Sequence, residues 1–182
     1  YGRSRTFDEA AAIYAAVAVD RVGVFVDPVD GVVREAVERF GLHAVQLHGD
    51  ESRDFVGDLR TRLSDLSAPP LVWKAVRVRS AEQAAAEVAA WSGVVDAVLL
   101  DGWSASARGG AGSSFDWDAV QARLPRGKRS CDLVVAGGLT PDNVAGVIRI
   151  LDPDIVDVSS GVEEVHGRKS AARMRAFIAA AR

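Results

Sequence analysis

Two stretches in the last third of this 182-residue sequence carry the residue types that hold an anion. They are Val134-Val135-Ala136-Gly137-Gly138-Leu139-Thr140-Pro141-Asp142-Asn143 and Val156-Asp157-Val158-Ser159-Ser160-Gly161-Val162-Glu163. Each is a β-branched run that ends in glycines or serines, and a helix-like segment follows each. Glycine lets the backbone approach a phosphate, bare N–H groups donate to it, and a helix N-terminus adds positive potential. Gly137, Gly138, Ser159, Ser160 and Gly161 are therefore candidate phosphate ligands. Two such sequences on consecutive strands are hard to explain as ordinary turns. In parallel (β/α)₈ barrels the phosphate site is commonly built by the loops after the last two strands.

Other side chains with chemical potential sit at the ends of apolar runs. Asp101 closes Val94–Asp101 (VVDAVLLD), where a barrel presents catalytic groups and where desolvation favours a protonated carboxyl. It reads equally as a general acid and as a loop-capping aspartate ahead of Gly102. Asp157 alternates with Val156 and Val158, which points it into a barrel. An inward carboxylate is costly without a partner, so it either bonds a substrate hydroxyl or pairs inside. Gln46 and His48 share one face of their strand. Gly109-Gly110-Ala111-Gly112 reads as a mobile loop, and Phe115 and Trp117 as packing anchors. Lys74 and Arg77 face either substrate or solvent. Cys131 reads as a partly buried structural cysteine.

The elements that must position these residues alternate regularly. Strand patterns run over Arg21–Asp27, His43–His48, Leu71–Val78, Val94–Asp101, Leu133–Leu139 and Ile155–Val162. Near-continuous apolar runs of this kind suit parallel strands covered on both faces. Helical patterns fall between them. Phe7–Val19 has Thr6 or Asp8 as N-cap. Val29–Phe40 carries apolar residues at helical spacing and stops at Gly41. Ser52–Leu63, Ser80–Trp91 and Phe115–Leu124 follow. Thr140-Pro141 reads as N-cap and first residue of the next helix, and Lys169 to Ala181 forms the last, with Ser170 near its start. Strand–helix repetition means a parallel α/β fold with right-handed crossovers. No linker, low-complexity tract or second domain interrupts it, so residues 1–182 read as a single domain.

Composition narrows the function classes. The chain is 48% hydrophobic with mean hydropathy +0.07, net charge −3 and pI about 5.6. That balance, with lysine and arginine scattered, argues against nucleic acid or an anionic membrane as partner. One cysteine excludes an internal disulfide framework, and three histidines without ligand spacing give no metal signal. A cytoplasmic protein without metal or cofactor fits these features.

A closed barrel needs eight βα units and typically about 250 residues, whereas six strand patterns are present. At this point the sequence resembles the phosphoribosylanthranilate isomerases, single-domain barrels of tryptophan biosynthesis. The matching segments are VGVFVD (Val22–Asp27), VQLHGDE (Val45–Glu51), LLDG (Leu99–Gly102), GGAGSSFDW (Gly109–Trp117), AGGLTPDNV (Ala136–Val144) and VDVSSGVE (Val156–Glu163). They occur in family order over nearly the whole chain.

The resemblance implies a TIM (β/α)₈ barrel in which the six strands are strands 3 to 8. The first βα unit and the second strand, with the cysteine general base carried by a Lys-Ile-Cys-Gly-Ile-Thr-like first strand, are then outside this chain. Cys131 does not match that base by position. The implied reaction is the Amadori rearrangement of N-(5′-phosphoribosyl)anthranilate to 1-(2-carboxyphenylamino)-1-deoxyribulose 5-phosphate, and the fragment is expected to be inactive without the missing strand. The resemblance favours Asp101 as the acid that opens the ribose ring. It sets Gln46 and His48 on the anthranilate side, and Arg5, with Arg3 as the alternative register, on the anthranilate carboxylate. Glu163 is expected to fix its loop rather than act in chemistry. Ala111 and Ser113 stand where the family more often has a hydroxyl and a lysine. A monomer is expected when the barrel is complete.

Two other readings stand beside this one. A related histidine-pathway or dual-substrate barrel isomerase would share the phosphate loops, but the QLHGDE and FDW segments speak against it. A non-catalytic module would bind phosphorylated ligands without turnover.

Overall fold

The computed structural model describes residues 5–14, 18–29, 31–102, 115–124 and 129–182. The six principal strands follow one another in one sheet in chain order. Contacts divide the chain into two units, Tyr1–Lys74 with Val94–Asp96, and Ala75–Gly93 with Ala97–Arg182.

In the first unit, β1 (Val22–Phe25), β2 (Ala44–Leu47) and the start of β3 (Leu71–Val78) pair in parallel. Val22 stands opposite Ala44, and Ala44 opposite Leu71. Every residue of β2 is buried, the expected pattern for a parallel strand covered on both faces. Helices α2 (Val32–Phe40) and α3 (Arg53–Leu63) each bury an apolar face, and α1 (Phe7–Tyr14) sets Phe7 against Phe40 of α2. Local chemistry sets their ends. The Glu9 N–H donates to Thr6 Oγ1 at 3.3 Å while Glu9 Oε2 accepts the Thr6 N–H at 2.8 Å, a reciprocal box that settles the first cap on Thr6. Ser52 accepts the Phe55 N–H at 3.2 Å. Gly41 ends α2 in the left-handed region at φ +57°, its N–H on the Val37 carbonyl. The Arg21 guanidinium donates to the Phe40 carbonyl at 2.6 Å and the Tyr14 carbonyl at 3.3 Å. One cation thus serves the C-terminal ends of both α1 and α2, where the helix dipoles favour positive charge.

The second unit holds the rest of β3, α4 (Ala81–Trp91), β4 (Ala97–Gly102), α5 (Trp117–Gln121), β5 (Asp132–Ala136), α6 (Val144–Leu151) and β6 (Ile155–Val156). A short hairpin, β7 (Glu163–Val165) with β8 (Arg168–Lys169), precedes α7 (Ala171–Ala180). Asp101 pairs across from Ala136, and Val135 from Val156. Val98, Leu99, Leu100, Val134, Val135 and Leu151 form the buried interior of this unit. Ser80 and Ser170 cap α4 and α7 through their hydroxyls.

Several sequence expectations are corrected here. The sixth strand does not run to Val162: it stops at Val156, and Ser160–Val162 form a single 3₁₀ turn. Asp157 consequently follows the strand rather than lying mid-strand, and it is exposed, so the desolvation argument for it does not apply. Thr140-Pro141 do not open α6, which begins at Val144 after Asn143. The Thr140 N–H is taken by Asn143 Oδ1 at 2.8 Å, and Asn143 Nδ2 returns to the Gly138 carbonyl at 3.0 Å. Asn143 thereby organises the turn that the sequence had assigned to the helix. Lys169 lies in β8, not in the last helix.

Candidate functional site

The second unit brings the phosphate-loop candidates and Asp101 together. Gly137 and Gly138 follow β5 with φ of +89° and +68°, a conformation that a residue with a Cβ adopts only with strain. A Cβ on Gly137 would stand 2.6 Å from Asp101 Oδ1 and 2.5 Å from the Gly102 carbonyl. The absence of a side chain at 137 is what lets the half-buried Asp101 carboxylate lie directly against the turn. One at Gly138 would meet no described residue within 4 Å.

The Ser159–Gly161 loop closes on the same turn. A Cβ on Gly161 would overlap the Leu139 carbonyl, so the two glycine-bearing loops touch through backbone alone. Ser159 and Ser160 are exposed beside this contact. Two loops with little side-chain cover thus meet edge to edge at the C-terminal ends of β5 and β6.

This loop is held from behind by a group that the sequence reading passed over. Lys169 Nζ donates to the Ser159 carbonyl at 2.8 Å, approaches Ser159 Oγ at 3.3 Å and pairs with Glu163 Oε1 at 2.9 Å. Glu163 is buried, and its Oε2 accepts the Gly167 N–H at 3.0 Å. A Lys six residues after Glu, across a turn containing glycine, was the available sequence signal. Phe115 and Trp117 stack at a ring-centroid distance of 4.7 Å. Gly102 is packed on both rings, with no space for a Cβ.

In the first unit, Gln46 is buried and its Nε2 lies 3.2 Å from Nδ1 of the half-buried His48. The strand's alternation had put these two side chains on one face, and they touch. Lys74 does not face solvent: it is buried in an ion pair with Glu51, their side chains 5% and 2% exposed at 3.1 Å. Lys74 Nζ also donates to the Gly49 carbonyl at 2.7 Å. Glu51 Oε1 accepts the N–H groups of Asp27 and Gly49 at 3.0 and 3.1 Å. Asp27, at φ +44°, accepts the Asp50 N–H through Oδ1 at 2.8 Å. These charges fasten the loops after β1 and β2 and thus the segment carrying His48. A lysine inside an apolar strand and a glutamate closing HGDE are the pattern that betrays such a pair.

The remaining candidates are more dispersed. Arg5 is exposed, immediately ahead of the Thr6 capping box. Arg3 and Gly109-Gly110-Ala111-Gly112 lie outside the described residues. Cys131 is buried at the N-terminal end of β5, and burial pushes its thiol up, away from the reactive thiolate. Among the described residues no group of three or more His, Cys, Asp or Glu side chains is placed to hold a metal ion. Nor is any described helix long and apolar enough to cross a membrane.

Comparison with known proteins agrees with this arrangement of strands and loops. The N-(5′-phosphoribosyl)anthranilate isomerase from Pelobacter propionicus is 38% identical over 178 residues, 97% of this chain and 78% of its own length. A solved monomeric form of a dimeric phosphoribosylanthranilate isomerase from Thermotoga maritima superposes with a TM-score of 0.74 at 30% identity, covering 100% of this chain and 83% of that one. Another phosphoribosylanthranilate isomerase, solved in complex with reduced 1-(o-carboxyphenylamino)-1-deoxyribulose 5-phosphate, gives 0.74 at 30% identity over 98% of this chain and 80% of its own. The family model for N-(5′-phosphoribosyl)anthranilate isomerase matches residues 3–180. With the glycine and serine loops, the strand-end aspartate and this match over almost its whole length, the chain belongs to the N-(5′-phosphoribosyl)anthranilate isomerase family.

Proposed function

We propose that this chain carries the acid and the phosphate-binding half of a phosphoribosylanthranilate isomerase, converting N-(5′-phosphoribosyl)anthranilate to 1-(2-carboxyphenylamino)-1-deoxyribulose 5-phosphate in tryptophan biosynthesis. The observation that carries this reading is the closeness of Asp101 to the Gly137 turn, where only a glycine leaves room for the carboxylate. A phosphate held by Gly137, Gly138, Ser159, Ser160 and Gly161 would tether the ribose beside an acid on the neighbouring strand.

The chemistry divides between an acid and a base. Asp101 gives its proton to the ribose ring oxygen, opening the ring to a Schiff base. A base then removes the C2′ proton from the Schiff base, and the resulting enaminol tautomerises to the aminoketose, C1′ taking up a proton and the C2′ hydroxyl giving one up. Gln46 and His48 line the anthranilate, Arg5 or Arg3 engages its carboxylate, and Asp157, exposed beyond its strand, contacts a substrate hydroxyl. No metal or cofactor enters the scheme. The whole is one phosphate-binding TIM-barrel domain over residues 1–182, its six strands taken as strands 3 to 8 and the cysteine base placed on a first strand not among these residues. Six strands against a barrel's eight, and relatives of which the chain spans about four fifths, support that assignment. A cytoplasmic protein, monomeric once the barrel is complete, follows from the same reading.

A fluorescence assay of phosphoribosylanthranilate consumption tests it. The 182-residue chain is compared with the same chain preceded by a family-like first βα unit and second strand bearing the cysteine. Turnover only in the extended protein, abolished by Asp101→Asn, is the expected result. Turnover in the short chain would refute the base assignment and make Asp157 the first alternative. A folded but inactive extended protein that still binds phosphate would instead support a non-catalytic ligand-binding module.

A further inference from the structure

We propose that Lys169 is the positioning residue of the phosphate loop, setting the Ser159–Gly161 backbone through Ser159 and neutralising the carboxylate buried behind it. The proposal deepens the phosphate reading above and rests on it.

The geometry is specific. The Lys169 ammonium has three donors and faces three acceptors: the Ser159 carbonyl at 2.8 Å, Ser159 Oγ at 3.3 Å and Glu163 Oε1 at 2.9 Å. It therefore acts through Ser159 rather than by bonding a ligand. The other side of the loop is fixed by Gly161, seated on the Leu139 carbonyl without space for a Cβ. The Ser160–Gly161 segment is thus held between a charge-assisted contact at one end and a steric stop at the other. The lysine is itself placed by the β7–β8 hairpin, which sets Glu163 opposite Lys169 and turns through Gly167 at φ +81°.

Electrostatics gives the pair a second task. The Glu163 side chain is 6% exposed and lies four residues from Ser159. A buried carboxylate behind an anion-binding loop repels a phosphate dianion through poorly screened surroundings. Lys169 cancels that charge and places its own positive end on the Ser159 side, toward the loop. Removing the lysine has two consequences. The Ser159 carbonyl is released, and the buried carboxylate keeps the Gly167 N–H and His166 beside its Oε2 but loses the ammonium on its Oε1.

Binding of inorganic phosphate, read by isothermal titration calorimetry on the full chain, tests the idea. Lys169→Met should weaken phosphate about tenfold or more, the scale on which loss of a group that orients a ligand-binding group acts. Lys169→Met with Glu163→Gln should bind between that variant and the parent, because the loop stays unheld but the repelling charge is gone. Lys169→Arg should restore affinity to within about threefold. A purely structural lysine would not produce this ordering by charge. If Lys169→Met fails to fold, the double variant decides: affinity equal to the parent overturns the proposal. Equal affinity in a folded Lys169→Met overturns it as well. A parent chain that binds no phosphate refutes the phosphate reading itself, a result distinct from either of these.

Discussion

Single atoms decide the shape of the turn after β5. At Gly137 the backbone lies at φ +89°, and the added methyl of an alanine would meet Asp101 Oδ1 at 2.6 Å. Strain of this kind costs about 1–3 kcal/mol, and the clash moves the proposed acid as well. Gly137→Ala should therefore lower the midpoint of thermal unfolding by several degrees and reduce turnover of the extended protein. Calorimetry and the fluorescence assay check both effects, and a variant with unchanged midpoint and activity would show that the Asp101 contact has no consequence. Cys131 marks the opposite case. Its thiol is pushed up by burial at the far end of β5, so a residue type famous for reactivity is here part of the packing.

At the scale of elements, charged side chains bind strands to the segments that follow them. Asp96 takes the Val72 N–H at 2.7 Å and pairs with Arg60, while Asp154 takes the Leu133 N–H at 2.8 Å and pairs with Arg129. The same device recurs in both units at the entry to a strand. Burial alone would push the Asp154 carboxyl up, but the Leu133 N–H and the Arg129 guanidinium outweigh it and hold the carboxyl below its ordinary 3.8. A folded-state value below the unfolded one contributes stability that is present above the unfolded value and disappears as pH falls through the folded one. Asp154→Asn removes that titration. Between about pH 5 and pH 3 the variant should lose less stability than the parent. Urea unfolding across this range measures the difference, and parallel acid limbs would contradict the assignment. The Glu51–Lys74 pair works on the same scale, since its partners on Gly49 and Asp27 leave neither charge uncompensated in the interior.

For the molecule as a whole, the order of strands leaves β1 at one edge of the sheet. Val24 in that strand is 58% exposed, and Val26 and Val29 just beyond it are exposed too. An apolar edge strand is a template for pairing with another chain. The 182-residue chain is expected to self-associate at micromolar concentration. Val24→Lys should slow that association in a light-scattering assay while changing folding stability by no more than about 0.5 kcal/mol. Equal scattering by the two proteins would exclude the β1 edge as the contact.

The sequence by itself determined the alternation of strands and helices, because burial on both faces writes itself as unbroken apolar runs such as AVLL before Asp101. It also determined the starts of α3 and α4, since Ser52 and Ser80 cap through their own neighbours. The glycines that let the two loops after β5 and β6 meet were visible as residue types in the sequence. Turns that compete locally with regular elements, and pairings with distant residues, were not legible. Strand β6 stops early and α6 starts late because Ser160–Val162 and Asn143 satisfy their backbones locally, in turns that compete with the regular elements. The fate of Lys74 was decided by Glu51 on another segment, and the place of Lys169 by a hairpin that brings it onto Ser159. Periodicity reports which side of an element is buried. Only the tertiary structure decides which buried charge meets which, because a charge is tolerated inside only where a partner from elsewhere in the chain is brought to it.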